Sequence, residues 1–425
     1  MKVKSFLALC SVGAAILAGN GAQAQDKFIK EGIWRGIFTV NELQVPFNFE
    51  VKGQKASDAS FALINGTRRD YFVVKQTAPD SLFIKMNTYD AALVAKIEDD
   101  GTLTGAYKSL VPGLRGNSLP FVAVHGKSYR FVEPGKDQEP AANLSGKWKL
   151  NIISKDATPG RVALLEQKGN KLTGVIMSVV GDTRELEGTV QGREFVLSGF
   201  TGPSPIIVRG TINDDKSLSG EMGFGIYLNQ KFEGVKDKKA DLPDPYALTH
   251  LKEGVSTFDF SLPDLNGNPV SLSDAKYKGK VVIIEIIGTW CPNCTDQTAF
   301  LAPWFRENKN RGVEAIAVGF EQKDDLEYAR YTLGKLRDKY KIEYDILFGG
   351  IADKKVASGK FPSLNRMMAF PTTIIIGRDG TVKQIHTGYT GEITGKYFKQ
   401  YVKKWNRDLS KYIAEPAPKD ALAAR

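Results

Sequence analysis

Between residues 26 and 237 apolar and polar positions alternate in short runs, such as Pro46-Phe-Asn-Phe-Glu-Val51, Arg161-Val-Ala-Leu-Leu-Glu166 and Glu194-Phe-Val-Leu197, with Gly, Asn and Asp punctuating them. A period of two with turn residues at this spacing predicts an all-β sandwich or barrel. Beyond residue 254 the texture changes. Continuous apolar runs (Val281 to Ile287, Val313 to Phe320, Thr372 to Ile376) alternate with longer polar segments of helical period (Asp324 to Tyr340, Thr394 to Leu409). That is the pattern of an α/β sheet covered by helices.

The β half contains a repeat. Gly32-Ile-Trp34 recurs as Gly146-Lys-Trp148, Glu50-Val-Lys-Gly53 as Glu166-Gln-Lys-Gly169, and Ile97-Glu-Asp-Asp-Gly-Thr-Leu-Thr-Gly105 as Ile212-Asn-Asp-Asp-Lys-Ser-Leu-Ser-Gly220. A unit of roughly 115 residues is too long for a solenoid module and suits one complete β-domain. Two copies are therefore expected side by side, each opening on a strand that carries its Gly-x-Trp. Such an opening also occurs in lipocalin-type barrels that bind small apolar ligands, but a core tryptophan is the simpler reading. The predicted organisation is a leader (1–24), two β repeats (25–137 and 138–236), a charged, Pro-containing linker (237–253), the α/β domain (254–413) and a disordered Ala/Pro-rich tail (414–425).

The leader is read from Lys2 and Lys4 ahead of an apolar stretch from Phe6 to Ala18, followed by Ala22-Gln-Ala24. These are the regions of a secretory signal peptide, with an apolar part too short to span a bilayer. Export, cleavage after Ala24 and a periplasmic location follow as expectations, with no membrane span in the mature chain. Cys10 lacks the small preceding residue of a lipidation site. Cleavage removes Lys2 and Lys4, taking the formal charge from +10 to +8. The remaining cations are spread among acids, which argues against a nucleic-acid partner. It also leaves Cys291 and Cys294 as the sole cysteines, so a disulfide framework is excluded.

Those two lie in Val281-Val-Ile-Ile-Glu-Ile-Ile-Gly-Thr-Trp-Cys-Pro-Asn-Cys294, a buried strand that discharges into a Trp-Cys-x-x-Cys turn. The reactive species in disulfide exchange is the thiolate, and a free cysteine near pKa 8.5 is mostly protonated at neutral pH. A sulfur placed where a strand ends and a helix begins faces unsatisfied N–H groups and the positive end of the helix dipole. Pro292 fits the first helical turn. Cys291 is thus the expected nucleophile and Cys294, one turn inside the helix, the resolving thiol, the two forming a redox disulfide. Asn293 carries no charge and cannot favour the thiolate as an imidazolium would, which leans toward a reductant or a mild exchanger rather than a strong oxidase. A zinc site would need two further Cys or His ligands, and His125, His250 and His386 lie on separate segments. No metal or cofactor is expected.

Glu285 stands inside the apolar strand. Packed on both faces it should have a raised pKa and could exchange a proton with Cys294; twisted to a polar edge it would not. Pro371 precedes a β-branched run, where a proline requires a bulge, an edge or a cis turn.

Together these residues resemble the thioredoxin superfamily, and within it the exported disulfide reductases of the TlpA and ResA type. The resemblance runs from about 254 to 412 through Phe258-Asp-Phe-Ser-Leu-Pro-Asp-Leu-Asn-Gly-Asn-Pro-Val-Ser-Leu272, Gly288-Thr-Trp-Cys-Pro-Asn-Cys294, Phe370-Pro-Thr-Thr-Ile-Ile-Ile-Gly-Arg-Asp-Gly380 and Ile385-His-Thr-Gly-Tyr-Thr-Gly391. It implies a nucleophile at Cys291, a resolving cysteine at Cys294, the family's buried acid at Glu285 and its cis-proline at Pro371. Trp290, Pro292, Asn293, Phe370 and Pro371 would then line the substrate site. Phe370 is bulkier than the residue usual before that proline. The implied partners are disulfide-bearing protein substrates and an upstream thiol donor. Two alternatives accompany this reading: a thiol peroxidase, although Gly288 stands where such enzymes carry threonine, and a β module that binds a ligand or protein partner served by the redox domain.

Overall fold

The structure, a computed structural model, describes residues 29–40, 43–53, 59–86, 88–111, 118–153, 160–225 and 227–418. The expected leader, with Cys10 and the Ala24 site, and residues 419–425 of the expected tail lie outside them.

Strands β1 (Gly32–Val40), β2 (Leu43–Lys52), β3 (Ser60–Asn65), β4 (Arg68–Ala78), β5 (Ser81–Lys85), β6 (Ala91–Ile97), β7 (Leu103–Ser109) and β8 (Leu119–His125) form a closed barrel, each pairing antiparallel with the next and β8 returning to β1. The inward set of the alternating pattern fills it. Phe38 stacks on Phe47 at 4.4 Å and Phe49 on Phe61 at 4.3 Å between ring centroids. Trp34 is buried beside Phe49. Eight strands leave an interior just wide enough for side chains, and here rings occupy it.

The second copy comprises β9 (Gly146–Ile153), β10 (Arg161–Lys168), β11 (Lys171–Ser178), β12 (Gly181–Asp182), β13 (Leu186–Gln191), β14 (Glu194–Phe200), β15 (Pro205–Ile212), β16 (Leu218–Phe224) and β17 (Tyr227–Lys236). Pairing of β10 with β11 closes the sheet into a barrel-like ring, with the short β12 attached to β11. The sequence repeat falls on equivalent strands. Trp34 and Trp148 lie in the first strand of each copy, Glu50 and Glu166 in the second, Leu103 and Leu218 in the one before last. Both tryptophans are core residues, and each indole N–H donates to the carbonyl four residues before it, Lys30 and Leu144.

The copies share a core. Phe200 of β14 reaches the rings of Phe38 and Phe47, at 4.9 and 5.4 Å, and Asn65 exchanges two hydrogen bonds with the Phe200 backbone. Between them the buried Arg130 donates to the carbonyls of Ile64 and Ser198 and to Asn48.

After a stretch without strands or helices comes a hairpin of β18 (Ser261–Pro263) and β19 (Pro269–Ser271), then an α/β domain built on β20 (Val281–Ile287), α1 (Pro292–Asn308), β21 (Val313–Glu321), α2 (Leu326–Tyr340), β22 (Asp345–Ile351), α3 (Lys354–Lys360), β23 (Thr372–Ile376), β24 (Val382–Thr387) and α4 (Lys396–Ala414). The sheet order is β22-β21-β20-β23-β24, with β20 to β22 parallel and the last two strands antiparallel. The start of α2 is set by Asp325, whose carboxylate accepts from the N–H groups of Glu327 and Tyr328. Helix α4 runs on past Leu409 because Tyr412 and Ile413 still pack against the domain core. Among the described residues no helix is long and apolar enough to cross a membrane.

Candidate active site

All seven residues of β20 are buried, since it is the central strand of a sheet covered on both faces, and it delivers the chain to the mouth of α1. Cys291 is the N-cap, with extended backbone, and Pro292 takes the first helical position. Its Sγ accepts the backbone N–H of Cys294 at 3.3 Å, satisfying one of the helix's orphan donors. The Sγ in turn donates to the carbonyl of Phe370 at 3.6 Å, and the Phe370–Pro371 peptide is cis. Cys291 is 6% exposed and Cys294 1%. Burial, with the neighbouring Cys291, pushes the Cys294 thiol well up and keeps its proton on.

Trp290 walls one side of the dithiol. Its indole N–H donates to the Phe320 carbonyl at 2.9 Å and its ring meets that of Phe370 edge-on at 5.7 Å. A side chain at Gly288 would collide with this indole and with the Phe320 carbonyl, so the position before the turn admits only glycine.

Glu285 faces the interior, not a polar edge: it is fully buried, accepting from the Tyr344 hydroxyl at 2.6 Å and from Thr298 at 3.2 Å. Burial pushes its carboxyl up to about 7, against the pull of those bonds. A second buried acid, Glu321 at the end of β21, accepts from the backbone N–H and hydroxyl of Thr289 at 3.0 and 2.6 Å and so pins the turn before Trp290. Its carboxyl is likewise raised by burial to about 7. An acid closing an apolar run was a legible signal that the sequence reading passed over.

The opposite side of the turn is not open. Gly181 of β12 lies so close to Asn293 that a Cβ there would collide with the Asn293 amide, and Arg184 donates to the Pro292 carbonyl at 3.1 Å. Pro292 and Asn293, expected on the substrate side, are thus in contact with the second barrel, while Trp290, Phe370 and Pro371 border the other side of the dithiol. The Arg184 guanidinium also grips Asp296 of α1 with two bonds, at 2.8 and 2.9 Å.

Residues 254–385 match the family described as AhpC/TSA family. The "Thioredoxin-like protein YneN" of Bacillus subtilis (strain 168) is 30% identical over 138 residues, covering 32% of this chain and 73% of that protein. The chain belongs to the thioredoxin-like thiol-disulfide oxidoreductases. The "Thiol-disulfide oxidoreductase ResA" of Bacillus cereus (strain ATCC 10987 / NRS 248) is 28% identical over 187 residues, 44% of this chain and 90% of that one. A solved structure, "a putative Thiol:disulfide interchange protein DsbE from Chlorobium tepidum", is 23% identical, with 36% of this chain and 98% of that chain covered at a TM-score of 0.28. The thioredoxin-like likeness lies in the C-terminal part, and the barrels with their contacts on α1 come in addition to it.

Proposed function

We propose that the protein reduces disulfides of exported proteins through its Cys-Pro-Asn-Cys dithiol. One observation carries the reading: Cys291 caps α1 with its sulfur on a helix N–H, and a second, more deeply buried thiol lies one turn behind it. In the reaction the Cys291 thiolate attacks one sulfur of a substrate disulfide, forming a mixed disulfide and expelling the other sulfur as a thiol. Cys294 then gives up its proton and attacks Cys291, which releases the second substrate thiol and leaves the Cys291–Cys294 disulfide. Two electrons and two protons pass to the substrate, and a thiol donor restores the pair. Glu285 is the group suited to take the Cys294 proton, since its pKa lies near neutrality and its charge acts on that thiol.

Trp290, Phe370 and Pro371 would border the incoming chain. Asn293 adds no cation to favour the thiolate, in keeping with a reductant. No bound cofactor is required. The leader read in residues 1–24 supports action in the periplasm. A peroxidase is less well supported, because Gly288 has no room for a hydroxyl-bearing side chain.

The test is reduction of insulin disulfides with dithiothreitol as donor. Cys291→Ser should abolish catalysis, and Cys294→Ser should accumulate a mixed disulfide on Cys291. Equal turnover by Cys291→Ser would refute the assignment.

A further inference from the structure

The contact between the barrels and α1 follows the repeat. Thr67-Arg68 and Thr183-Arg184 are separated by the same 116 positions as Glu50 and Glu166, so the two arginines are counterparts in the duplicated β unit. Arg68 opens β4 and Arg184 lies between β12 and β13, and both reach one carboxylate. Arg184 pairs with Asp296 at 2.8 Å and Arg68 with the same group at 3.6 Å. Arg184 is 5% exposed, has a left-handed backbone (φ 59°) and also reaches the Thr295 hydroxyl. A bulky residue at positive φ is rarely adopted without a compensating contact, and here the compensation is the first turn of the redox helix. Tyr89 of the first barrel adds a contact at 3.4 Å to the same Thr295.

We propose that Arg184, seconded by Arg68, is a positioning residue of the dithiol: the duplicated unit neutralises Asp296 and holds the Pro292 carbonyl, so that the mouth of α1 keeps a net positive end toward Cys291. Asp296 follows Cys291 by five residues, about 7.5 Å of helical rise. An unpaired carboxylate at that range in a partly buried site changes the ease of forming an anion at Cys291 by roughly tenfold. The other charged or titratable groups around the pair are Asp70 beside Arg68, Asp182, whose carboxylate accepts the Arg184 and Gly391 N–H groups, Glu185, Lys339 and Tyr340 of α2, Tyr89, Tyr389 and Glu392. From the domain interior the Cys294 N–H donates to the Cys291 sulfur, and Glu285 acts on the Cys294 thiol. None of these is altered by the substitutions below.

The inference rests on Cys291 being the attacking thiol, and its test reads that thiol without using a disulfide substrate. In the reduced full chain, alkylation of Cys291 by iodoacetamide is followed by mass spectrometry across pH. Asp296→Asn should displace the midpoint of the pH–rate profile toward acid by about tenfold in proton concentration. Arg184→Gln should displace it toward alkali by a similar factor, Arg68→Gln in the same direction by less, and Arg184→Lys hardly at all. The double variant Arg184→Gln/Asp296→Asn should return close to the parent profile. Loosening of the interface alone would raise the plateau rate in every variant with no opposed movement of midpoints. That result, or an unmoved midpoint in Asp296→Asn, overturns the proposal. If Arg184→Gln does not fold, Asp296→Asn and Arg68→Gln still give opposite signs or refute it. Failure of the parent protein to reduce insulin, with these profiles as expected, would instead overturn the proposed function and leave the clamp standing.

Discussion

Replacing Glu285 by glutamine tests the electrostatics of the site through stability. The carboxyl is fully buried and titrates in the folded chain at about 7, against 4.5 for the free group. Between those two pH values the folded protein holds a proton that the unfolded chain has released. Stability therefore falls as pH rises through this window and is constant above it. At about 1.4 kcal/mol for each tenfold change, the full cost of carrying the ionised group above pH 7 is about 3 kcal/mol. The amide of the Glu285→Gln variant never ionises. The variant should match the parent near pH 4, less roughly 1 kcal/mol for altered bonds from Tyr344 and Thr298, and exceed it by about 2 kcal/mol at pH 8. Glu321 titrates in the same window, whereas His386, lowered to about 4 by burial, loses stability as pH falls toward that value. Both contributions are common to the two proteins and cancel in the difference. Urea titration of the reduced proteins by circular dichroism at pH 4.5, 6 and 8 gives that difference directly. A gap between variant and parent that is flat across this range would refute the argument from burial.

Two further outcomes follow from the barrels and their contact. Phe49→Ala removes a ring stacked in the first barrel and should cost about 3–5 kcal/mol, read as a lower urea midpoint; a loss under 1 kcal/mol would mean that the interior is not packed by these rings. Gly181→Val places a side chain 2.8 Å from the Tyr389 carbonyl, at a backbone φ of 145° that branched residues avoid. Hydrogen exchange over residues 178–184 and the first turn of α1 should quicken, and unchanged protection would contradict the described contact.

Much of the fold was legible because it rests on local patterns. The period-two runs and the repeat gave two β units, and the apolar runs at 281, 313 and 372 gave three sheet strands of the α/β domain. The dithiol was legible for the same reason: one strand, one turn and one helix start lie in fourteen consecutive residues. Spacing along a strand does not report what covers each face, so the sequence is compatible with Glu285 either inside or at an edge; the covering by Tyr344 and Thr298 comes from distant segments. The contact of β12 with Asn293 was invisible for a similar reason, since Gly181-Asp-Thr-Arg184 reads as an ordinary turn. The recurrence of Thr-Arg at the repeat offset was the one available sign, and it is too short to stand out before both arginines are seen on one carboxylate.

The two boundaries of the molecule differ in kind. Where barrel meets barrel, Phe200 is inserted among Phe38 and Phe47, and parting them would expose rings to water. Where the barrels meet the redox domain, ion pairs and polar groups (Arg184 and Arg68 on Asp296, Lys335 on Asp90, Asp182 on the Gly391 N–H) accompany a small apolar cluster of Val162, Met177 and Ala240 with Tyr397 packed against it. The polar groups can be rehydrated one by one, and salt weakens their attraction. Raised ionic strength should therefore loosen the ion pairs that tie the barrels to the redox domain while leaving the ring-filled boundary between the barrels intact.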